Sequence, residues 1–274
     1  MTILNIVREA LRLAASHKPL WLFGFFVALG SSANGGGRGG NAPVPGVPGD
    51  APGVLLMVLP LAALGLAALL MRLLSEGALI EGVKRAARGE QLTIKEGFRE
   101  GWAHIGPVFL IKVAYTVGTV LSLGLLAVPC LITARLTGIF TALVTVGIPT
   151  VLVAVPWLIT LYVWHAFALR IAVLENRRVV DAIRKARLFL HGRLLQGLKL
   201  MVATLVGTLA VVLGAVALIA PLALLIRALG GVAGPVVVVP AVLALLPVVA
   251  ALAGILGTYQ SSVWTLGYLR QVGR

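Results

Sequence analysis

The chain has 274 residues, of which 59% are hydrophobic and only 12% are charged, and its mean hydropathy is +1.04. A soluble domain would be about half apolar and a quarter charged, so this composition predicts an integral membrane protein. The net charge of +14 would suggest nucleic-acid binding in a soluble protein. Here the bases flank apolar segments, as they do beside anionic lipid, and we expect no nucleic-acid partner. The single cysteine, Cys130, excludes an internal disulfide.

Six apolar segments are candidate membrane spans, since a helix needs about 20 residues to cross the hydrocarbon layer. In chain order they are residues 19–33, 54–74, 106–128, 139–168, 195–226 and 235–259. The first is the weakest, because its core from Leu20 to Leu29 is short and resembles a signal peptide. Its removal would break an internal repeat, so we expect it to be retained as a span. Residues 34–53, which follow it, are rich in Gly and Pro and predict a flexible outer loop.

The basic residues predict how these segments are oriented. Twenty of the 23 Lys and Arg residues fall in four patches. Two hydrophobic segments lie between each patch and the next. The patches are Arg8 to Lys18, Arg72 to Lys112, Arg170 to Lys199 and Arg270 to Arg274. Because bases near spans are retained on the cytoplasmic side, the pattern predicts six spans with both chain ends in the cytoplasm.

An acid, a small residue, an apolar residue and an arginine recur in that order at Glu9, Glu96 and Asp181. Each copy lies in a short stretch with apolar residues at helical spacing, among them Ile94, Phe98 and Trp102. Such stretches predict amphipathic helices on the cytoplasmic membrane surface. The sequence therefore predicts an all-α transmembrane domain of three pseudo-repeated hairpins, each preceded by a surface helix. The units are about 1–88, 89–175 and 176–274. Chance similarity between basic amphipathic helices is the alternative.

No pattern in the sequence indicates catalysis, a cofactor or a metal, and we expect none of them. Ionisable residues are nearly absent from the middle of the spans, where they usually mark ion or substrate paths. Glu81 and Arg85 have the spacing of a helical ion pair, which favours a structural role over transport. We expect His165 to be packed or interfacial rather than a proton carrier. Gly118, Gly124, Gly207 and Gly214 predict close approach of helix backbones.

The order of several short motifs resembles a known family. They are Pro-Leu-Trp-Leu-Phe-Gly-Phe-Phe from Pro19, Glu76 to Ile80, and Ala172 to Asn176 followed by Asp181 to Arg184. With the glycine-rich loop, this order resembles prokaryotic six-span proteins that include the membrane domain found beside glycerophosphoryl diester phosphodiesterases. The resemblance covers nearly the whole chain and implies a place in the prokaryotic cytoplasmic membrane. It implies no hydrolase activity, because no polar stretch is long enough for the phosphodiesterase barrel.

Two functions remain open. The first is a non-enzymatic protein that organises the membrane or serves as an accessory subunit of a membrane complex. Its surface-helix bases would bind anionic lipid headgroups or an acidic partner, although they could also serve only to orient the spans. The candidate contact residues are Arg8, Arg12, Arg99, Arg184, Lys185 and Arg187.

The second function is a transporter or lipid-handling protein with a cavity between the fourth and sixth spans. Two prolines in each of these spans predict bends, and broken helices can line a transport site. The candidate lining residues are Tyr162, His165, Tyr259, Gln260 and Ser262.

Overall fold

The computed structural model describes residues 3–32, 51–90, 92–233 and 235–273, and all regular structure in these ranges is helical. This confirms the predicted all-α class. The α-helices in chain order are α1 (Ile3–Ser16), α2 (Lys18–Ser32), α3 (Ala51–Ala87), α4 (Ile94–Ala103), α5 (Ile105–Thr137), α6 (Ile139–Ala142), α7 (Ile148–Leu174), α8 (Val179–Leu190), α9 (Leu194–Ala233) and α10 (Pro235–Gln271). A π-helical turn, Leu143–Gly147, joins α6 to α7.

Five stretches among the described residues are long and apolar enough to cross a membrane, which makes this a multi-pass membrane protein. They are Val58–Ala87, Ile105–Thr137, Ile139–Leu174, Leu194–Pro221 and Leu243–Gln271. These correspond to the second through sixth predicted segments. The first predicted segment falls in α2, whose apolar part is shorter than those five. Most of the predicted outer loop, residues 34–53, lies outside the described residues.

Several helices continue past the predicted ends of their apolar segments, most of all α3 and α10. α3 extends to Ala87 rather than residue 74, and α10 extends to Gln271 rather than residue 259. The added turns contain hydroxyl-bearing side chains such as Ser75 and Ser262, which are buried inside the protein. Packing against neighbouring helices therefore sustains the helix where hydropathy alone indicates its end.

Short helices occupy the three positions of the repeated motif. On α1 and α8, three alanine or leucine side chains of each helix are buried, whereas Leu11, Leu188 and the arginines are exposed. The buried side chains are Ala10, Leu13, Ala14, Ala182, Ala186 and Leu190. The exposed arginines are Arg8, Arg12, Arg184 and Arg187.

The predicted apolar stripe of α4 is only partly directed into the protein. Ile94 and Trp102 are exposed, whereas Gly97 and Gly101 are buried. A Cβ on Gly101 would lie 2.4 Å from the carbonyl oxygen of Leu74 on α3. The small residues allow α4 to approach α3 closely, which an Ile–Trp face would prevent.

The start of α4 is held by a reciprocal cap. The Thr93 backbone N–H donates a hydrogen bond to the Glu96 carboxylate at 3.0 Å. Hydrogen bonding from the Thr93 side chain and backbone holds the pKa of Glu96 below its usual value. The cap fixes the point where the chain turns from the end of α3 into α4.

The chain folds into two compact units. Unit 1 comprises residues 1–105 and 203–274, and unit 2 comprises residues 106–202. The core of unit 1 contains apolar side chains from α2, α3 and the segment before α4: Leu20, Phe23, Leu74, Ala78, Leu79 and Leu92. These boundaries differ from the three repeat units, which stay a prediction.

Within unit 1, α2 packs on α10 with almost no side-chain volume between their backbones. A Cβ on Gly257 would lie 2.1 Å from the carbonyl oxygen of Gly24. Beside this contact, the hydroxyl of Thr258 donates a hydrogen bond to the Leu20 carbonyl oxygen at 3.0 Å. Small residues with a hydroxyl donor beside them are typical of contacts between membrane helices.

Candidate functional site

The bases of α1 are free of carboxylate partners. Arg8 and Arg12 lie one turn apart on α1 and are exposed, and neither forms an ion pair with a carboxylate in the described ranges. Glu9 lies next to Arg8 in the chain, but its carboxylate pairs with Arg270 on α10. The α1 surface therefore has two guanidinium charges that pair with no acid in the described part of the chain.

The bases of α8 divide into paired and unpaired residues. Lys185 pairs with Glu175 at 2.5 Å, and Arg177 holds the same carboxylate at 3.0 Å. Arg187 places its guanidinium 5.9 Å from the centroid of the Trp164 ring, within the range of a cation–π interaction. Arg184 is exposed and makes no ion pair with any acid in the part of the chain that the structure describes. Lys185 thus helps to close the turn between α7 and α8.

Arg99 on α4 is the most exposed base in a chain of ion pairs. Its side chain is 76% exposed and lies 3.9 Å from the Glu100 carboxylate. Glu100 makes the shorter contact with Arg85 of α3, at 2.9 Å. Arg85 in turn lies 3.9 Å from Glu81, which confirms the predicted pairing of these two residues. Exposed pairs contribute little stability, so Arg99 remains able to contact a ligand.

Two of the five candidate cavity residues lie in unit 2. His165 stacks on Tyr115, with ring centroids 4.4 Å apart and ring planes at 26°. Both rings line a mainly apolar pocket of about 180 Å³ formed by α5, α7 and α8, together with Trp164. Tyr162 lies on the preceding turn of α7 and is 40% exposed. His165 is therefore packed against an aromatic ring, as predicted.

The other three candidates belong to α10 in unit 1, and two of them contact α9. Tyr259 is fully buried, and its hydroxyl donates a hydrogen bond to the Ala203 carbonyl oxygen at 2.9 Å. Its ring lies over Gly207, where an added Cβ would be 2.1 Å from the phenol oxygen. The Gln260 amide donates to the Thr208 hydroxyl at 3.1 Å. Ser262 is also fully buried.

Neither a cluster of metal ligands in the described residues nor a similar known protein indicates a function. Among the described residues, no group of three or more His, Cys, Asp or Glu side chains is arranged to hold a metal ion. No family model, no curated protein and no solved structure matches the chain. The six-span resemblance therefore stays a prediction from its motifs.

Proposed function

We propose that this chain is a non-enzymatic integral membrane protein that organises the membrane or acts as an accessory subunit of a membrane complex. In this role the bases of α1, α4 and α8 bind anionic lipid headgroups. The observation that carries the proposal is the exposure of arginines on α1 and α8, next to long apolar helices, with no ion-pair partner among the residues that the structure describes. Each base near an anionic surface contributes about 1 kcal/mol of attraction. Lys185 contributes less, because Glu175 already offsets its charge.

The proposed topology has six spans in three hairpins, with both chain ends and the surface helices on the cytoplasmic side. The distribution of bases supports it, as does the apolar composition of α2. The 15 residues of α2 extend about 22 Å at 1.5 Å per residue, less than the hydrocarbon thickness of about 30 Å. A bilayer accommodates such a short helix by thinning locally. The motif resemblance supports placement in a prokaryotic cytoplasmic membrane.

Cysteine labelling tests this topology directly. In a Cys130→Ser background, a membrane-impermeant maleimide should label Ala15→Cys, Arg88→Cys and Arg178→Cys only after intact cells are permeabilised. Arg135→Cys, in a predicted outer stretch, is the control and should react in intact cells. Reaction of Ala15→Cys in intact cells would show that α2 does not cross, while reaction of Arg178→Cys would overturn the orientation of the later hairpins.

Replacing the unpaired arginines with glutamine tests the lipid function. The variant with Arg8, Arg12, Arg184 and Arg187 changed to Gln should retain at least tenfold less phosphatidylglycerol through detergent purification, as measured by mass spectrometry. A tenfold loss corresponds to about 1.4 kcal/mol, well below the sum expected for four bases. The matched variant with four lysines keeps the charge and should retain more lipid than the glutamine variant. Equal retention by wild type and the glutamine variant would mean that these bases serve only to orient the spans.

A lipid-handling or transport function is the second candidate, and the apolar pocket beside His165 and Tyr115 favours it. This function also requires Tyr259 and Ser262 to line an open cavity. Both are fully buried in unit 1, and Tyr259 is held by a hydrogen bond. Their packing is the reason that we rank this function below the first.

A further inference from the structure

A large pocket with both polar and apolar walls lies between α1 and the last turn of α3, entirely within unit 1. Its volume is about 790 Å³, within the range of about 300–1,000 Å³ that is common for ligand sites. The side chains that give it its chemistry are Asn5, Arg8, Arg12, Ser16 and His17, and Ala86 forms part of the opposite wall. This pocket was not evident from the sequence, because α1 and the end of α3 are about 70 residues apart in the chain.

The charge of the pocket is positive. Arg8 and Arg12 both line it, and Glu9 is the acid among the residues that enclose it. The Glu9 carboxylate pairs with Arg270, so it does not offset the two guanidiniums. Like charges one turn apart destabilise a helix by about 0.2–0.5 kcal/mol. An anion bound between Arg8 and Arg12 would remove this repulsion.

The rim of the pocket is ordered by hydrogen bonds at the end of α1. The Ser16 hydroxyl donates to the Arg12 carbonyl oxygen at 2.8 Å, and its oxygen lies 2.9 Å from His17 Nδ1. Since the Ser16 proton is already donated, its oxygen accepts the Nδ1 proton of His17. These bonds fix the His17 ring beside the two arginines.

The pocket also stands directly before an apolar helix. Only His17 separates α1 from α2. The Trp21 indole N–H of α2 donates a hydrogen bond to the Ala14 carbonyl oxygen of α1 at 2.5 Å. With α2 in the bilayer, the pocket lies at the depth of the lipid headgroups.

We infer that this pocket binds a phosphate group, supplied by a phospholipid headgroup or by a soluble phosphomonoester, between the guanidiniums of Arg8 and Arg12. The inference rests on the proposed function and specifies one site and one ligand chemistry for it. The planar guanidinium matches phosphate oxygens with two parallel hydrogen bonds, which an ammonium group does not. An acidic protein would instead need an interface of about 1,000 Å² or more, far wider than this pocket.

The test compares two arginine pairs on different helices in the full-length protein in detergent micelles. Arg8→Gln with Arg12→Gln should weaken binding of dioctanoyl phosphatidylglycerol at least tenfold and abolish its saturable component. Arg184→Gln with Arg187→Gln removes the same charge from α8 and should weaken binding less than the α1 pair does, while leaving its saturable component intact. Arg8→Lys with Arg12→Lys keeps the charge but should still lose at least fivefold. Circular dichroism of each variant verifies that it has folded.

Two further probes distinguish the source of the phosphate and the alternative partner. Inorganic phosphate that competes with the lipid indicates headgroup recognition, whereas glycerol 3-phosphate that binds more tightly than the lipid indicates a soluble ligand. If both pairs of substitutions weaken lipid binding equally, the pocket is not a specific phosphate site. Diffuse binding of lipid by the bases would still hold. Poly-glutamate that binds at this site more tightly than either phosphate probe would overturn phosphate as its ligand. If the four-arginine glutamine variant retains all its lipid, the proposed function fails too.

Discussion

Tyr259→Ala is expected to lower the free energy of unfolding by about 3–5 kcal/mol, as truncation of a large buried aromatic side chain does. Tyr259 is fully buried, and its ring occupies the space over Gly207 of α9. The facing residue has no side chain that could move into the gap. The cavity would therefore remain open, which places the expected loss at the upper end of this range. Unfolding by SDS in mixed micelles, followed by circular dichroism, measures it.

The control is Tyr259→Phe, which keeps the ring and removes only its hydroxyl. This variant loses the hydrogen bond to the Ala203 carbonyl oxygen. Side-chain hydrogen bonds between membrane helices contribute about 0.6 kcal/mol on average, so the expected loss is several times smaller than for alanine. The pair of variants separates ring packing from hydrogen bonding.

The same measurement separates the two candidate functions. A transporter with Tyr259 on the wall of an open cavity would tolerate alanine with little change in stability, because no packed volume would be lost. Stability of Tyr259→Ala within about 0.5 kcal/mol of wild type, the range of surface substitutions, would contradict the packing and favour the cavity. A large loss favours the non-enzymatic function, since the residue is then accounted for by structure.

Hydropathy was sufficient to place five long apolar helices, because averaging over about 20 residues is insensitive to any single position. It failed at the C-terminal ends of α3 and α10. There Ser75 and Ser262 lower the average, yet both are buried. Burial of such residues depends on which helices surround them, and that information is not local in the sequence.

The candidate bases show the same limit. Glu81 and Arg85 are four residues apart, so their pairing could be predicted from spacing. Lys185 of α8 pairs with Glu175 in the turn after α7, and Arg270 of α10 pairs with Glu9 of α1, so neither pair lies within one helix. Sequence reasoning therefore missed Glu9 and Glu175, the acids that decide which bases remain unpaired. No pattern within either helix could have indicated them.

Glycines were predicted with mixed success. Gly207 makes a close contact, but with the ring of Tyr259 rather than with a helix backbone as predicted. Around Gly118, Gly124 and Gly214, however, a Cβ would meet no described atom within 4 Å, so the predicted close approach at these positions is wrong. The local sequence around these glycines resembles that around the glycines that do make contacts. Only the tertiary structure shows which helix face has a neighbour.

Gly257→Ala is expected to destabilise unit 1 by about 2–3 kcal/mol, the upper part of the range for overpacked positions. The new methyl group would lie 2.1 Å from the Gly24 carbonyl oxygen and 2.8 Å from its Cα. Both are backbone atoms, so no side chain can rotate away and the helices must separate. Separation would also stretch the hydrogen bond from Thr258 to the Leu20 carbonyl oxygen.

Gly65→Ala on α3 is the matched control, because a Cβ there meets no described atom within 4 Å. Alanine favours a helix over glycine by about 1 kcal/mol, so this variant should be as stable as wild type or more stable. Alanine also gains helix propensity at Gly257, so a lower free energy of unfolding in that variant can come only from the steric separation of the helices. Stability equal to that of the Gly65→Ala variant would show that α2 and α10 are not in backbone contact.

If a steric clash causes the loss of stability in Gly257→Ala, a substitution at the facing Gly24 should act on the same helix contact. In Gly24→Ala the methyl group would lie 2.1 Å from the Gly254 carbonyl oxygen, at the same helix contact. Once one methyl group has separated the two helices, the second needs little additional movement. The double variant Gly24→Ala with Gly257→Ala should therefore lose at least 0.5 kcal/mol less than the sum of the single losses, as expected for residues in contact. Strict additivity would instead indicate two independent clashes and contradict a shared helix contact.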